Sequence, residues 1–156
     1  MRVSEIVECW KHPQSENLYC ERILVGGAEP REIASGLQQF VPLENMRGKV
    51  IVMTNLKPRP LAGFNSNGMV VCASNPEHTK VELLVPEGAI GERLYLDGLE
   101  ELFPTVDLPI IKKSKVLEKT VEHFATDGEG FVVWKGLRLR TKAGYIKSTI
   151  LNGKVS

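Results

Sequence analysis

Apolar and polar positions alternate in short bursts through the first hundred residues, and nearly every burst ends at a turn signal. Val3–Trp10 is rich in β-branched and aromatic residues. Leu18–Val25 follows a polar stretch and stops at Gly26-Gly27, and Arg31–Ser35 is a short third strand ended by Gly36. Pro42–Met46 predicts one helical turn, because a first-turn proline lacks only an N–H that would have no partner there anyway. Lys49–Leu56 is the clearest strand. Val50, Val52 and Thr54 share one face and Ile51 and Met53 the other. Both faces are largely apolar, which places this strand inside the fold. Lys57–Asn67 reads as a long irregular loop, and Met69–Ser74, Val81–Val85 and Arg93–Leu96 as further strands.

Many short strands, frequent turns and little helix predict a mainly β domain, either a small barrel or a sandwich. A barrel has the advantage that closure removes exposed sheet edges; periodicity alone does not separate the two. Beyond this set, Glu100–Ile111 carries two prolines and reads as a linker. After Lys112, the apolar Val116, Leu117, Val121 and Phe124 fit one side of a short helix. Phe131–Trp134 and the segment up to Ile150 read as more strands. The expected division is therefore a mainly β domain over residues 1–103 and an extension over residues 104–156.

Charge sharpens this division. The 156 residues carry a net charge of +1, which by itself says little about partners. Residues 1–103 hold 10 Lys/Arg against 14 Asp/Glu, and residues 104–156 hold 10 against 5. A basic final third suggests contact with a polyanion; a solvated face that aids solubility is the competing explanation. No apolar run approaches the roughly 20 residues that span a bilayer. The N-terminus lacks the apolar stretch of a secretory signal. Cys9, Cys20 and Cys72 lie singly in apolar stretches, as expected of small buried residues in a reducing, cytoplasmic setting.

Catalytic signatures are missing. No glycine-rich turn leads into Lys-Ser/Thr on a helix, so a phosphate loop is not indicated. Ser35 lacks the first glycine of a nucleophile elbow. His12, His78 and His123 are far apart, and no C-x-x-C or H-x-x-x-H pair anchors a metal. Neither an enzyme nor a cofactor is called for.

The informative segment is Asn55–Met69. Prolines at 58 and 60 stiffen it, which lowers the entropy cost of presenting a surface. Gly63 and Gly68 permit positive φ or close backbone approach. Lys57 and Arg59 can neutralise phosphates. Asn55 and Ser66 can reach a phosphate, a 2′-OH or a base edge, and Met69 can pack on a splayed base or sugar. A rigid connector with incidental charge, or a proline-rich ligand for an SH3-type partner, would use the same residues.

A resemblance narrows these alternatives. Lys11-His12-Pro13 with Leu18-Tyr19, Pro30-Arg31 leading into Ser35-Gly36-Leu37, Val41-Pro42-Leu43, and Asn55-Leu56-Lys57-Pro58 with Gly63, Ser66, Met69 and Cys72-Ala73-Ser74 occur in the order and spacing of the tRNA-binding domain family. This family includes the C-terminal part of endothelial monocyte-activating polypeptide and domains appended to methionyl-, lysyl- and tyrosyl-tRNA synthetases. Lys112-Lys113, Thr126–Glu129, Trp134-Lys135-Gly136 and Ser148–Gly153 resemble, more loosely, the extension of the polypeptide subfamily.

The resemblance implies a five-stranded OB-fold barrel whose small C-terminal extension imitates a second subunit, giving a monomer with pseudo-dimer architecture. It implies cytoplasmic tRNA binding without marked sequence selectivity, in the service of a synthetase or synthetase complex. The implied RNA-contacting residues are Arg31, Asn55, Lys57, Ser66 and Met69. Arg59 joins them from the loop's chemistry, and Lys112, Lys113 and Lys115 from the basic extension. His12 either joins them or shapes the first strand-to-strand loop. The competing function is a protein-interaction or cytokine-like module with vestigial RNA binding. The basic final third argues for RNA.

Overall fold

The computed structural model describes residues 1–103, 109–112 and 114–156. The chain opens with β1 (Arg2–Lys11), β2 (Tyr19–Leu24) and β3 (Arg31–Ser35) as an antiparallel meander. A 3₁₀ turn over Leu43–Asn45, capped by Pro42, stands where one helical turn is expected. β4 (Gly48–Met53) then returns to pair antiparallel with β1. The ten-residue β1 serves two neighbours, and a register shift between Ile6 and Glu8 lets it bend from one to the other.

The segment expected as an irregular loop contains a hairpin instead. β5 (Arg59–Leu61) pairs with β6 (Phe64–Ser66) across Ala62-Gly63, whose φ angles are +48° and +82°. Two successive positive φ values make a turn whose twist matches that of the flanking strands. Proline is tolerated at Pro60 because this two-stranded ribbon is all edge. Trp10 meets the Phe64 ring edge-on at 6.0 Å and seats the hairpin against β1.

The next expected strand divides at Val71. β7 (Met69–Val70) pairs with β4, and β8 (Cys72–Ser74) pairs with β9 (Val81–Leu83) in a different sheet. The first sheet thus has the order β3-β2-β1-β4-β7. Its ends are drawn together where the Asn67 N–H donates to the Glu32 carbonyl at 2.9 Å and the Ala34 N–H donates to Ser66 Oγ at 3.0 Å. The result is the nearly closed five-stranded barrel of the OB type.

The remainder is β10 (Tyr95–Leu96), a 3₁₀ turn at Glu100–Leu102, α1 (Ser114–Val121), β11 (Phe124–Thr126), β12 (Val132–Trp134), β13 (Leu137–Thr141), β14 (Gly144–Tyr145) and β15 (Lys154–Val155). These strands join β8 and β9 in the order β10-β13-β12-β11-β15-β8-β9, with β14 on β13. Val155 lies opposite Ala73, and Cys72 and Ser156 exchange backbone hydrogen bonds of 2.8 and 3.0 Å. The final third is therefore woven into the sheet that leaves the barrel.

Two cores result, and β4 feeds both. Val50 and Val52 pack inside the barrel with Ile6, Ile23, Ile33 and Val70. Ile51 and Met53 point the other way, into a second core with Leu84, Leu94, Val132, Leu139 and Ile146. The inside position expected for this strand is confirmed: Val50, Ile51 and Val52 are fully buried. Each such side chain stabilises the fold by about 1.5–3 kcal/mol. Leu117 and Val121 of α1 pack on the second core, whereas Val116 is exposed and Phe124 belongs to β11. The Trp134 indole donates to the Thr120 carbonyl at 3.0 Å and holds the helix end to β12.

One carboxyl group sits inside the barrel. Glu21 on β2 is fully buried and accepts a hydrogen bond from the Ser35 hydroxyl. Burial pushes its carboxyl up to about 8, against the opposing pull of that bond. Cys20 and Cys72 are buried as expected, and Cys9 only half-buried. Among the described residues no helix is long and apolar enough to cross a membrane.

Candidate nucleic-acid interface

Thr54–Leu56 leaves the end of β4 and turns away from the barrel. Here the chain meets the stretch that precedes α1. Leu56 and Ile111 form an isolated parallel bridge, and the Ile111 N–H donates to the Asn55 carbonyl at 2.8 Å. The Asn55 side-chain amide donates to the Pro109 carbonyl at 3.3 Å. These contacts set the proline-stiffened loop beside the start of the basic extension.

The groove between them has a volume of about 520 Å³. Lys57, Arg59 and Lys112 supply cations to its walls, and Leu61, Met69 and Leu117 supply apolar surface. Ser66 also borders the groove, but its hydroxyl lies buried and committed, accepting from Ala34 N–H and donating to the Gly68 carbonyl at 3.0 Å. Five of the residues expected from sequence, Lys57, Arg59, Ser66, Met69 and Lys112, thus converge on one depression.

Arg31 and Asn55 line an adjoining hollow of about 380 Å³ that shares Leu56 and Pro58 with the groove. Arg31 Nη1 donates to the Thr54 carbonyl at 2.6 Å and to the Asn67 carbonyl at 3.3 Å. Lys115 is exposed on α1 and borders neither hollow. Lys113 lies outside the described residues. His12 shapes its own loop, its Nδ1 accepting the Gln14 N–H at 3.0 Å. Ile111 and Leu117 are groove residues that the sequence did not single out; their place depends on the bridge to Leu56, which no local pattern encodes.

The arrangement suits a polyanion with exposed flat apolar parts. Cations on the rim neutralise phosphates, and the apolar walls can take a splayed base or sugar. The charged loop residues Lys57 and Arg59 are exposed and so accessible to a ligand.

Comparison with known proteins agrees with this chemistry. The family described as "Putative tRNA binding domain" matches residues 1–92. The cytoplasmic tyrosine–tRNA ligase of Gallus gallus is 41% identical over 157 residues, covering 98% of this chain and 29% of the ligase. The aminoacyl tRNA synthase complex-interacting multifunctional protein 1 of Mus musculus is 38% identical over 146 residues, covering 91% of this chain and 45% of that protein. The chain therefore spans less than half the length of either relative. The crystal structure of the C-terminal domain of Plasmodium vivax p43 superposes with a TM-score of 0.89 at 27% identity, covering 99% of this chain and 94% of that one. The match over residues 1–92 covers more than half of the chain, and this chain belongs to the tRNA-binding domain family.

Proposed function

We propose that this chain is a tRNA-binding module that raises the affinity of an aminoacyl-tRNA synthetase, or of a complex holding one, for tRNA without choosing among tRNA sequences. The observation that carries this reading is the convergence of Lys57, Arg59 and Lys112 around the apolar groove walled by Met69, Leu61 and Leu117. Phosphates lie along the cationic rim, and a base or sugar turned out of its stack rests on the apolar wall. Arg31 and Asn55 extend the contact into the adjoining hollow. Lys113 and Lys115 add charge from the extension.

Such contacts grip backbone and folded shape. Identity is read by the catalytic partner, where amino-acid and ATP chemistry also belong. Tethering makes the second contact intramolecular, with an effective concentration on the order of millimolar for a short linker. The small extension over residues 104–156 plays the part of a second subunit, so the chain acts as a cytoplasmic monomer with pseudo-dimer architecture. The name of the Gallus gallus relative supports the cytoplasmic setting, and the pairing of β15 with β8 supports an extension packed on the barrel domain.

The test is binding of the purified chain to total tRNA, unstructured RNA and duplex DNA at two salt concentrations. Salt-sensitive binding that favours folded tRNA is the expected result. No tRNA binding at low salt would overturn the proposal and direct attention to a protein partner.

A further inference from the structure

The outer face of β12, β13 and β14 carries a second set of cations, remote in sequence from the loop groove and built with rings. Strand alternation produces it. Val132, Leu139 and Ile146 turn inward to the second core. Their neighbours Phe131, Arg138, Arg140, Tyr145 and Lys147 must then turn outward. Pairing brings these together across strands: Phe131 lies opposite Lys147, and Arg140 lies opposite both Tyr145 and Tyr95.

The result is a ladder in which cation and ring alternate. Lys147 Nζ stands 4.6 Å from the Phe131 ring centre. The Arg138 guanidinium also stands over the Phe131 ring, 3.8 Å from its centre, and lies 5.4 Å from the Tyr145 ring centre. Arg140 continues the series, 4.7 Å from Tyr145 and 5.8 Å from Tyr95. Phe131 and Tyr145 meet edge-on at 5.8 Å. Asp97 fixes one end, accepting from the Tyr145 hydroxyl at 2.9 Å and from Arg140 Nη1 at 3.3 Å. Glu129 stands 3.8 Å from Arg138 with its own side chain 73% exposed. A surface pair of that kind contributes about 0–1 kcal/mol and yields readily to a phosphate.

Such a ladder exceeds what two strands need to stay paired. A guanidinium stacked on a ring is held in one orientation, so less side-chain entropy is lost when its N–H groups meet a ligand. Arg138 and Arg140 are two residues apart on one strand, about 6.7 Å, and can meet different phosphates. Guanidinium planes and aromatic rings are also the surfaces on which proteins stack unpaired bases. Its cations Arg138, Arg140 and Lys147 lie in the part of the chain where cations outnumber carboxylates two to one, which suits a nucleic acid.

We infer that the Lys147–Phe131–Arg138–Tyr145–Arg140–Tyr95 ladder is a second RNA-contact site, gripping a stretch of the tRNA through phosphates and unstacked bases while the loop groove grips another. This rests on the tRNA-binding reading above. The chain needs both contacts for full affinity.

The experiment is titration of the full chain with tRNA over a salt series, for the parent, Arg138→Gln/Arg140→Gln and Lys147→Gln. Near-ultraviolet dichroism and thermal midpoint report folding. The double variant is expected to bind about tenfold more weakly near 0.1 M salt, with the slope of log affinity against log salt reduced by about one to two. Lys147→Gln is expected to reduce the slope by about one. A purely structural ladder would lower the midpoint and leave the slope alone. Folded variants with the parental slope would overturn the second site while leaving the tRNA reading intact. If the double variant does not fold, an unchanged slope in Lys147→Gln overturns the site by itself. If the parent does not bind tRNA, both readings fall.

Discussion

Arg31 Nη1 donates to the Thr54 carbonyl at 2.6 Å and, more loosely, to the Asn67 carbonyl at 3.3 Å. One side chain at the start of β3 therefore ties down both the entry and the exit of the loop that walls the groove. Removing it leaves two carbonyls to find water. Arg31→Ala should lower the unfolding free energy by about 1.5–3 kcal/mol, the range for hydrogen bonds to a charged donor. Arg31→Lys should recover only part, because an ammonium does not reproduce the planar fork. Urea unfolding measures this, and an unchanged midpoint for Arg31→Ala would show the tie to be dispensable.

Lys57 differs from Arg31 in that it is exposed on the groove wall. Its contribution should be electrostatic. Lys57→Ala is expected to weaken binding of every tRNA about equally and to reduce the salt slope by about one. Stability should move by less than about 0.5 kcal/mol, as for a surface change away from special features. Loss confined to one tRNA species would contradict contact with phosphate.

The contrast between these two residues marks what the sequence can and cannot say. Period-two alternation made β4 readable, down to which of Val50, Ile51, Val52 and Met53 share a face, because burial on both sides leaves a continuous apolar run. The barrel type and the groove-facing Lys57 and Met69 followed from motif resemblance together with that pattern, and Arg59 from the chemistry of the loop. The hairpin over Arg59–Ser66 was hidden because prolines and asparagines mark loops more often than strands. The break at Val71 was hidden too, since a strand that changes sheets keeps the same apolar composition throughout. Ser66 reads as a ligand group from its loop position, yet its hydroxyl closes the barrel; only the approach of β3 decides that. The aromatic–cation ladder depends on register between strands, which single-chain periodicity does not carry.

Ala62 holds φ at +48° in the exposed tip of the hairpin. A left-handed conformation costs an alanine roughly 1–2 kcal/mol, and asparagine before glycine is the preferred pair in such a turn. Ala62→Asn should raise stability by about 0.5–1 kcal/mol, since part of that cost is removed. A higher thermal midpoint with an unchanged salt slope is the expected result. A lower midpoint would mean that the hairpin does not rest on this turn.

Gly153 lies just before β15, where the extension pairs with β8. A Cβ added there would stand 2.4 Å from the Ser74 carbonyl oxygen and 2.7 Å from Ile150 Cγ2. The backbone has no room to yield without pulling β15 away. Gly153→Ala should destabilise by about 1–3 kcal/mol, as overpacking of a close contact does. Hydrogen exchange at Cys72 and Ser156, whose backbones bond to each other, should accelerate. Parental protection at both amides would show that the β8–β15 junction tolerates the methyl group.

Glu21 gives the molecule a pH dependence of a definite sign. Its folded-state carboxyl is pushed up to about 8 by burial, from an ordinary value of 4.5. Between those two values the folded chain keeps a proton that the unfolded chain has released. Stability from this group is thus complete below pH 4.5 and is lost as pH rises through 8. Glu21→Gln keeps the shape of the protonated acid and cannot ionise. Variant and parent should be similar near pH 4.5, and the variant should be more stable at pH 9 by a margin on the order of a few kcal/mol. Urea unfolding across this range checks it. If the parent loses no more stability than the variant between pH 5 and 9, Glu21 is not held protonated, and a second group must neutralise its charge inside the barrel.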